Sequence, residues 1–497
     1  MDSRRQPCGD APEYGRPTAF PRGSVSHGSA DATVFFLRFR PQGGVGAPIG
    51  TPTPPPYTEA VVYEYLHRGA VNDDPDGVAF NFGSNADFLL RHQADAARAL
   101  SAGISGTREI APRLFRRIAD ARTMRLAWDY LATNGGQAPG CDNRRYGDFT
   151  SVEIWEWCRC LASAVADGTY RSGPERVRWI EKTSGKGQRP VVLLSIADRV
   201  VQRAAFSILQ PVFEPLFCPL SLGFRPGRGS WHALIAAEYL TGTTGHQVWR
   251  IEDLRDAFGY VPISRLLQVV ASILPSQDLI DLLDRILPSR QLPGLRQGGS
   301  LSPLMLNLYL HHFLDRPWAK RCPQVPLIRV ADDFLLLNRT ECQARQARME
   351  LIDLLLPAGL PLKEMGGETI HDLKSGATAD WLGFAVRKAP RGLAFGISAR
   401  GWTRLDRLFV LAHTRCDAPV RAVRDVIFPW LRHRAPAYAS ECRITVCREI
   451  AKCAVAHAFE EIPRLQKLQA YWRKSAERWA NLRRQCRDKY QKTGSMV

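Results

Sequence analysis

The sequence predicts an α+β protein whose strand-containing centre is flanked by helices on both sides. Three observations predict it. Residues 111–175 place apolar side chains at helical spacing. Residues 176–338 alternate short apolar, β-branched runs with helical stretches. From about residue 399 onward the pattern is helical again, in three or four segments, and no internal repeat is visible.

Taken in order, residues 1–58 are rich in Gly, Pro and Ser and close on Pro54-Pro55-Pro56. That composition predicts disorder, apart from a short strand at Val34–Arg40. Residues 59–110 form an extension of unassigned role with one helix over Ala86–Ala102. A helical region spans 111–175. Ile118, Met124, Leu126, Ala127, Tyr130 and Leu131 mark one helix there, and Ile154, Trp155, Cys158 and Leu161 a second, ending near Gly168. Arg176–Ile180 and Pro190–Leu194 read as strands joined by the turn at residues 183–187. A helix follows from Ile196 to Gln210, where Pro211 is expected to stop it. After the arginine-rich loop at 223–228 another helix starts at Ser230.

Val248–Asp253 reads as a strand, and Ile263–Ile273, Asp278–Leu287 and Pro303–Phe313 as helices. Leu327–Val330 and Phe334–Asn338 form a predicted hairpin.

With 45% hydrophobic residues the chain can bury most of its length, but its formal net charge of +18 is unusual. Residues 396–497 carry 21 Lys and Arg against 9 Asp and Glu, whereas residues 1–110 carry 10 against 12. The last hundred residues are therefore the expected phosphate-contacting surface, since each cation placed on a phosphate releases a condensed counterion. The 12 cysteines include no CxxC pair, which excludes a disulfide scaffold and a zinc ribbon. Cys442, Cys447, Cys453 and His457 crowd one predicted helix at a spacing that fits no recognised ligand pattern, so buried free thiols are the expectation and a zinc site the alternative. No apolar run approaches ~18 residues and no secretory signal is visible, so a cytoplasmic protein with no membrane partner is expected.

Two acidic strand ends carry the chemistry. One is Ile251-Glu252-Asp253-Leu254-Arg255-Asp256, the other Val330-Ala331-Asp332-Asp333-Phe334. Adjacent carboxylates at the tip of an apolar hairpin point to a bound cation. Nucleotidyl transfer by two Mg²⁺ ions ~4 Å apart needs this kind of set: one Asp from one strand and two from a neighbouring hairpin. Asp-Asp alone is common in solvated turns, so the weight rests on order and neighbours.

Those neighbours resemble the bacterial reverse transcriptases of the group II intron-like family. Residues 137–142 (Gln-Ala-Pro-Gly-Cys-Asp) are similar to its N-terminal segment. Residues 180–190, ending Gln188-Arg189-Pro190, are similar to its fingers hairpin. Asp198-Arg199-Val200-Val201-Gln202, the run from Ser221 to Arg228, Asp253 to Phe258, Gln297 to Pro303, Asp332-Asp333 and Trp381-Leu382-Gly383-Phe384 follow in the family's order. The resemblance implies a right-hand polymerase fold with fingers and palm over 176–395 and a basic, maturase-like thumb over 396–497.

It further implies RNA-templated addition of deoxynucleotides to a DNA or RNA primer, with two Mg²⁺ ions held by Asp253, Asp332 and Asp333. Lys182, Arg189, Phe258 and Gln297 would meet the deoxynucleotide, with Phe258 as the steric gate against a 2′-hydroxyl. Arg225, Arg228, Trp381 and Gly383 would meet template or primer. In the thumb, Leu465, Leu468, Trp472 and Trp479 would form an apolar helix face. Arg473, Lys474, Arg478, Arg483, Arg484 and Arg487 would face the duplex.

The sequence departs from the family in four places. Val330 replaces the usual Tyr before Ala-Asp-Asp, Arg296 a Pro, Gly259 an Asp, and Glu368-Thr369 a Lys-Thr pair. Either Lys363 reaches into the site in place of the missing lysine, or water supplies the leaving-group proton. Arg296 would loosen its loop or add a phosphate contact. No HNH endonuclease module is recognised, which turns the expectation toward a stand-alone, domesticated or antiviral-defence enzyme, with a dedicated structured RNA as a further candidate partner. The rival reading is an RNA-binding maturase or splicing factor with a vestigial polymerase site.

Overall fold

The computed structural model describes residues 103–493 except 137, 182–186, 290, 365–368, 391 and 414–418, together with His92, Asp95, Ala96, Arg98 and Ala99. The strand expected at Val34–Arg40 lies outside the described residues. Of the helix expected over Ala86–Ala102, those five residues are helical.

Helix α1 (Gly103–Ile118) leads into α2 (Ala121–Asn134), whose N-cap Asp120 accepts from the Arg122 amide. Helix α3 (Ser151–Ala166) begins at a reciprocal capping box between Thr150 and Glu153. Trp128 of α2 meets Tyr146, Phe149 and Trp157 edge-on and ties these helices together. Strands β1 (Arg176–Glu181) and β2 (Gln188–Leu193) pair antiparallel as a two-stranded ribbon, with Arg189 opposite Ile180.

Helix α4 (Ile196–Phe213) is buried along nearly its whole length. It runs three residues past Gln210, with Pro211 inside it, against expectation. In the last turn a proline forfeits one backbone hydrogen bond, and the complete burial of Val212 and Phe213 offsets that loss.

Helix α5 (Ser230–Thr244) and strand β3 (Val248–Asp253) follow, then the short α6 (Ala257–Tyr260), α7 (Ile263–Ile273) and α8 (Gln277–Ile286). Helix α9 (Ser302–Leu310) continues through a wide turn at His311–Asp315 into α10 (Arg316–Arg321). Strands β4 (Leu327–Val330) and β5 (Asp333–Asn338), helix α11 (Glu341–Leu355) and strand β6 (Ile370–Asp372) complete a four-stranded antiparallel sheet in the order β4-β5-β3-β6. Trp249, Ile251, Leu335 and Leu337, on neighbouring strands of this sheet, are buried as the apolar runs require.

A second, three-stranded sheet, β7 (Ala379–Trp381), β8 (Phe384–Ala389) and β9 (Gly392–Ile397), was not expected from the sequence. Its strands are short, and what holds them is packing. Phe384, Val386 and Phe395 join a core shared with α5 and with the C-terminal helices α12 (Ala399–His413), α13 (Pro419–His433), α14 (Arg443–Ala456) and α15 (Leu465–Thr493). Trp479 of α15 meets Trp231 of α5 and Phe395 of β9 edge-on. No described helix is long and apolar enough to cross a membrane.

Candidate active site

Strand pairing brings the two acidic segments together. Asp253, the last residue of β3, is in register with Asp333, the first of β5, and the Leu254 amide donates to the Asp332 carbonyl at 3.2 Å. Strand alternation sends Glu252 to the opposite face, where it is buried against Arg250 (2.7 Å) and Arg348 of α11 (3.2 Å). Glu252 is thereby neutralised, while Asp253, Asp332 and Asp333 share one edge of the sheet.

Lys363 reaches in. Its amide donates to the Asp253 carbonyl at 2.8 Å, and its Nζ donates to Asp253 Oδ2 at 2.9 Å. One ammonium is not enough charge for three carboxylates. Burial, then Asp253, pushes the Asp332 carboxyl up to about 6. Burial, then Asp332 and Asp253, pushes Asp333 up to about 8. Hard oxygen donors held together at this cost suit a divalent cation such as magnesium.

The turn carrying these acids is held by a network that the sequence reading missed. Ala331 adopts φ +60, a left-handed conformation unusual for a residue with a side chain. Beneath it, the fully buried Arg329 donates to the Ala331 carbonyl (3.0 Å), to Asn307 Oδ1 (2.9 Å), to both oxygens of Asp315 (2.9 and 2.6 Å) and to Ser221 Oγ (2.5 Å). Asn307 Nδ2 in turn donates to the Gly223 carbonyl at 2.7 Å. Gly223 lies so close that a Cβ there would stand 2.1 Å from the Ala331 nitrogen. The only sequence clue was a charged residue inside an apolar strand.

The other expected residues divide. Arg189 is exposed on β2, while Lys182 lies outside the described residues. Phe258 is half-buried five residues past Asp253, with its ring 6.1 Å from that of Phe224. Gln297 donates to Asp256 Oδ1 at 2.8 Å and accepts from the Val192 amide of β2 at 2.8 Å, which links its loop to the ribbon. Gly298, at φ +108, sits in that link, where a Cβ would press on the Val192 carbonyl at 3.0 Å.

Several expected contact residues are structural instead. Arg225 is 2% exposed, donates to Glu214 Oε1 and to the Cys218 and Ser221 carbonyls, and lies over the Phe217 ring, so it faces the interior and not a template. Arg228 beside it is half-buried, 3.8 Å from Glu214. Arg296 adds no phosphate contact, because it is buried against Glu175 (3.4 Å) and donates to the Pro288 carbonyl (2.8 Å). Trp381 is a core residue packed edge-on against Trp249. It supports the half-buried turn at Leu382-Gly383, whose Gly383 carbonyl accepts from the buried Arg434 at 2.9 Å. Arg483 and Arg487 turn toward Glu238 of α5, leaving Arg473, Lys474 and Arg484 exposed on α15. Leu468, Trp472 and Trp479 are buried along the other face, as expected.

The motifs ahead of the sheet brace one another. Arg199 donates to the Gly136 (2.9 Å) and Ala138 (2.7 Å) carbonyls, and Asp198 accepts from Tyr170 Oη (2.5 Å) and Ser195 Oγ (2.7 Å).

Residues 180–385 match the model of the family described as reverse transcriptase (RNA-dependent DNA polymerase), so the resemblance covers this central domain of the chain. With this domain, the mixed helical and antiparallel architecture is a right-hand polymerase fold. The chain is also similar, over part of its length, to several known proteins. It is 28% identical over 221 residues to the group II intron-encoded protein LtrA of Lactococcus lactis, covering 42% of this chain and 35% of that protein. It is 29% identical over 195 residues to the protein YkfC of Escherichia coli, covering 37% of this chain and 51% of that one. A 91 kDa protein in a cob intron of Schizosaccharomyces pombe is 33% identical over 160 residues, 30% of this chain and 20% of its own. The chain thus spans between a fifth and about half of the length of these relatives. A solved structure, a partial Cas6-RT-Cas1--Cas2 complex, matches 47% of this chain and 39% of its own at 18% identity and a TM-score of 0.30, too low to carry an argument.

Proposed function

We propose that this protein is an RNA-directed DNA polymerase that extends a primer 3′ end with deoxynucleotides, using magnesium. The observation that carries the reading is the convergence of Asp253, Asp332 and Asp333 at one sheet edge, with more negative charge than Lys363 offsets. Asp253, Asp332 and Asp333 would hold the metal, which when bound lowers the pKa of the attacking hydroxyl and balances charge on the phosphates.

The protein's own residues supply position and exclusion. Phe258 closes the side of the site where a 2′-hydroxyl would sit. Lys363, whose Nζ lies 2.9 Å from Asp253 Oδ2, would donate a proton toward the leaving group. Arg189, exposed on β2, offers fixed positive charge to a triphosphate, and Lys182 would add a second cation. The exposed cations of α15 would follow the backbone of a template–primer duplex without reading its sequence.

Primer extension on poly(rA)/oligo(dT) with Mg²⁺ and dTTP tests the reading. The expected outcome is extension by the wild type and none by the Asp332→Ala, Asp333→Ala double variant. A second reading has support in the relatives, since a nuclear intron maturase of Arabidopsis thaliana is 30% identical over 207 residues. Tight RNA binding by both proteins with extension by neither would favour that maturase-like role over the polymerase.

A further inference from the structure

Far from the acidic edge in sequence, three metal-ligating side chains of different kinds meet between two C-terminal helices. Cys453 and His457 are four residues apart on α14, His457 being its C-cap, so both side chains leave one helix face. Asp406 of α12 stands opposite them. His457 Nε2 lies 2.7 Å from Asp406 Oδ1, Cys453 Sγ lies 3.8 Å from the same oxygen, and all three ligand atoms fall within 4.8 Å of one another.

A tetrahedral zinc ion holds sulfur at ~2.3 Å, imidazole nitrogen at ~2.0 Å and carboxylate oxygen at ~2.1 Å, which spaces its ligands roughly 3.4–3.6 Å apart. The two separations to Asp406 bracket that spacing, so side-chain adjustments of under about 1 Å bring both to it. Glu449, one turn before Cys453, lines the groove at Asp406 and Cys453 together with Trp402 and Thr445, and it accepts from Lys452 Nζ at 2.7 Å, which leaves the fourth position to water. The groove opens to solvent at Asp406, which gives an ion a path in. The ring of Phe409 packs 5.8 Å from the His457 imidazole and walls the other side. One thiol, one imidazole and a carboxylate make a borderline-soft donor set. Such a set selects zinc-class ions over magnesium or calcium.

We propose that Asp406, Cys453 and His457 form a second metal site, for a zinc-class transition-metal ion that cross-braces α12 and α14. On binding, the Cys453 thiol loses its proton to solvent and Sγ donates as thiolate. The neutral His457 ring donates through Nε2 with its proton on Nδ1. Thiolate and carboxylate together balance the two charges of the ion.

The test is a Co²⁺ titration of the chelator-stripped, full-length protein in excess Mg²⁺, which occupies oxygen-only sites. The expected result is a thiolate-to-cobalt charge-transfer band that saturates at one equivalent and is displaced by Zn²⁺. Cys453→Ser should abolish the band, and His457→Ala should weaken binding by at least about tenfold. Cys442→Ser, which removes an exposed thiol beside the same helix, should leave the band unchanged. Absence of the band in the wild type, or its survival in Cys453→Ser, overturns the proposal. Metal-free Cys453→Ser should melt like the metal-free wild type and lose the rise that Zn²⁺ produces. A rise that persists in the variant also overturns it.

Discussion

Asp332 and Asp333 hold protons in the folded state that the unfolded chain releases near pH 4. The fold therefore loses stability as pH rises from about 4 through about 6 and about 8, the sign expected when the native state binds more protons than the unfolded one. In the absence of divalent ions Tm should fall across that interval. The Asp332→Asn, Asp333→Asn double variant should show a flatter profile, and Mg²⁺ should raise the wild-type Tm most near pH 8. Parallel profiles for the two proteins, measured by differential scanning calorimetry, would contradict this.

Lys363 is half-exposed, so its ion pair with Asp253 contributes less than about 1 kcal/mol to stability. If it acts as the proton donor, Lys363→Ala should slow single-turnover extension on the order of 10²-fold with little change in Tm. An unchanged rate would assign that proton to water. Phe258→Ala should raise ribonucleotide incorporation relative to deoxynucleotide, by up to on the order of 10²-fold. Competition between the two nucleotide types on one template reads that ratio.

The β4–β5 hairpin depends on partners distant in sequence. Arg329 neutralises the buried Asp315 and caps the strained turn at Ala331, so Arg329→Met leaves an uncompensated carboxylate in the interior. It should destabilise the protein by about 3–5 kcal/mol, read by urea unfolding. Gly223→Ala is the subtler change. A new Cβ 2.1 Å from the Ala331 nitrogen must push the turn aside, so primer extension should fall sharply while the remaining sheet stays folded. Unaltered extension by a folded Gly223→Ala protein would show that the turn's position does not matter.

At the scale of the molecule, charge and packing separate two groups of cations on α15. Arg483 and Arg487 join the buried Glu238 and fasten α15 to α5, whereas Arg473, Lys474 and Arg484 remain in solvent. Replacing those three by alanine should weaken binding to an RNA–DNA duplex and lower the slope of log affinity against log salt by roughly 2–3. Glu238→Gln should leave that slope unchanged and lower stability by about 1.5–3 kcal/mol. Fluorescence anisotropy at several salt concentrations, beside thermal melting, separates the two effects.

Much of this was legible in the chain. Strand β3 and the β4–β5 hairpin stood out because apolar β-branched runs ended abruptly in carboxylates, and the helices because periodicity is a local property. Residue type alone does not report burial. Arg225, Arg296 and Arg329 look like surface cations in a basic sequence, yet each lies in the interior against a carboxylate. The three-stranded sheet escaped detection because its short strands are stabilised by Trp249, Trp479 and the C-terminal helices, not by their own propensity. Cys453 and His457 were visible as neighbours on one helix. Asp406, 47 residues earlier than Cys453, joins them only when α12 packs on α14. Local pattern thus sets element type and the order of the motifs. Which charges meet depends on contacts between distant segments, whose energies no short window of sequence contains.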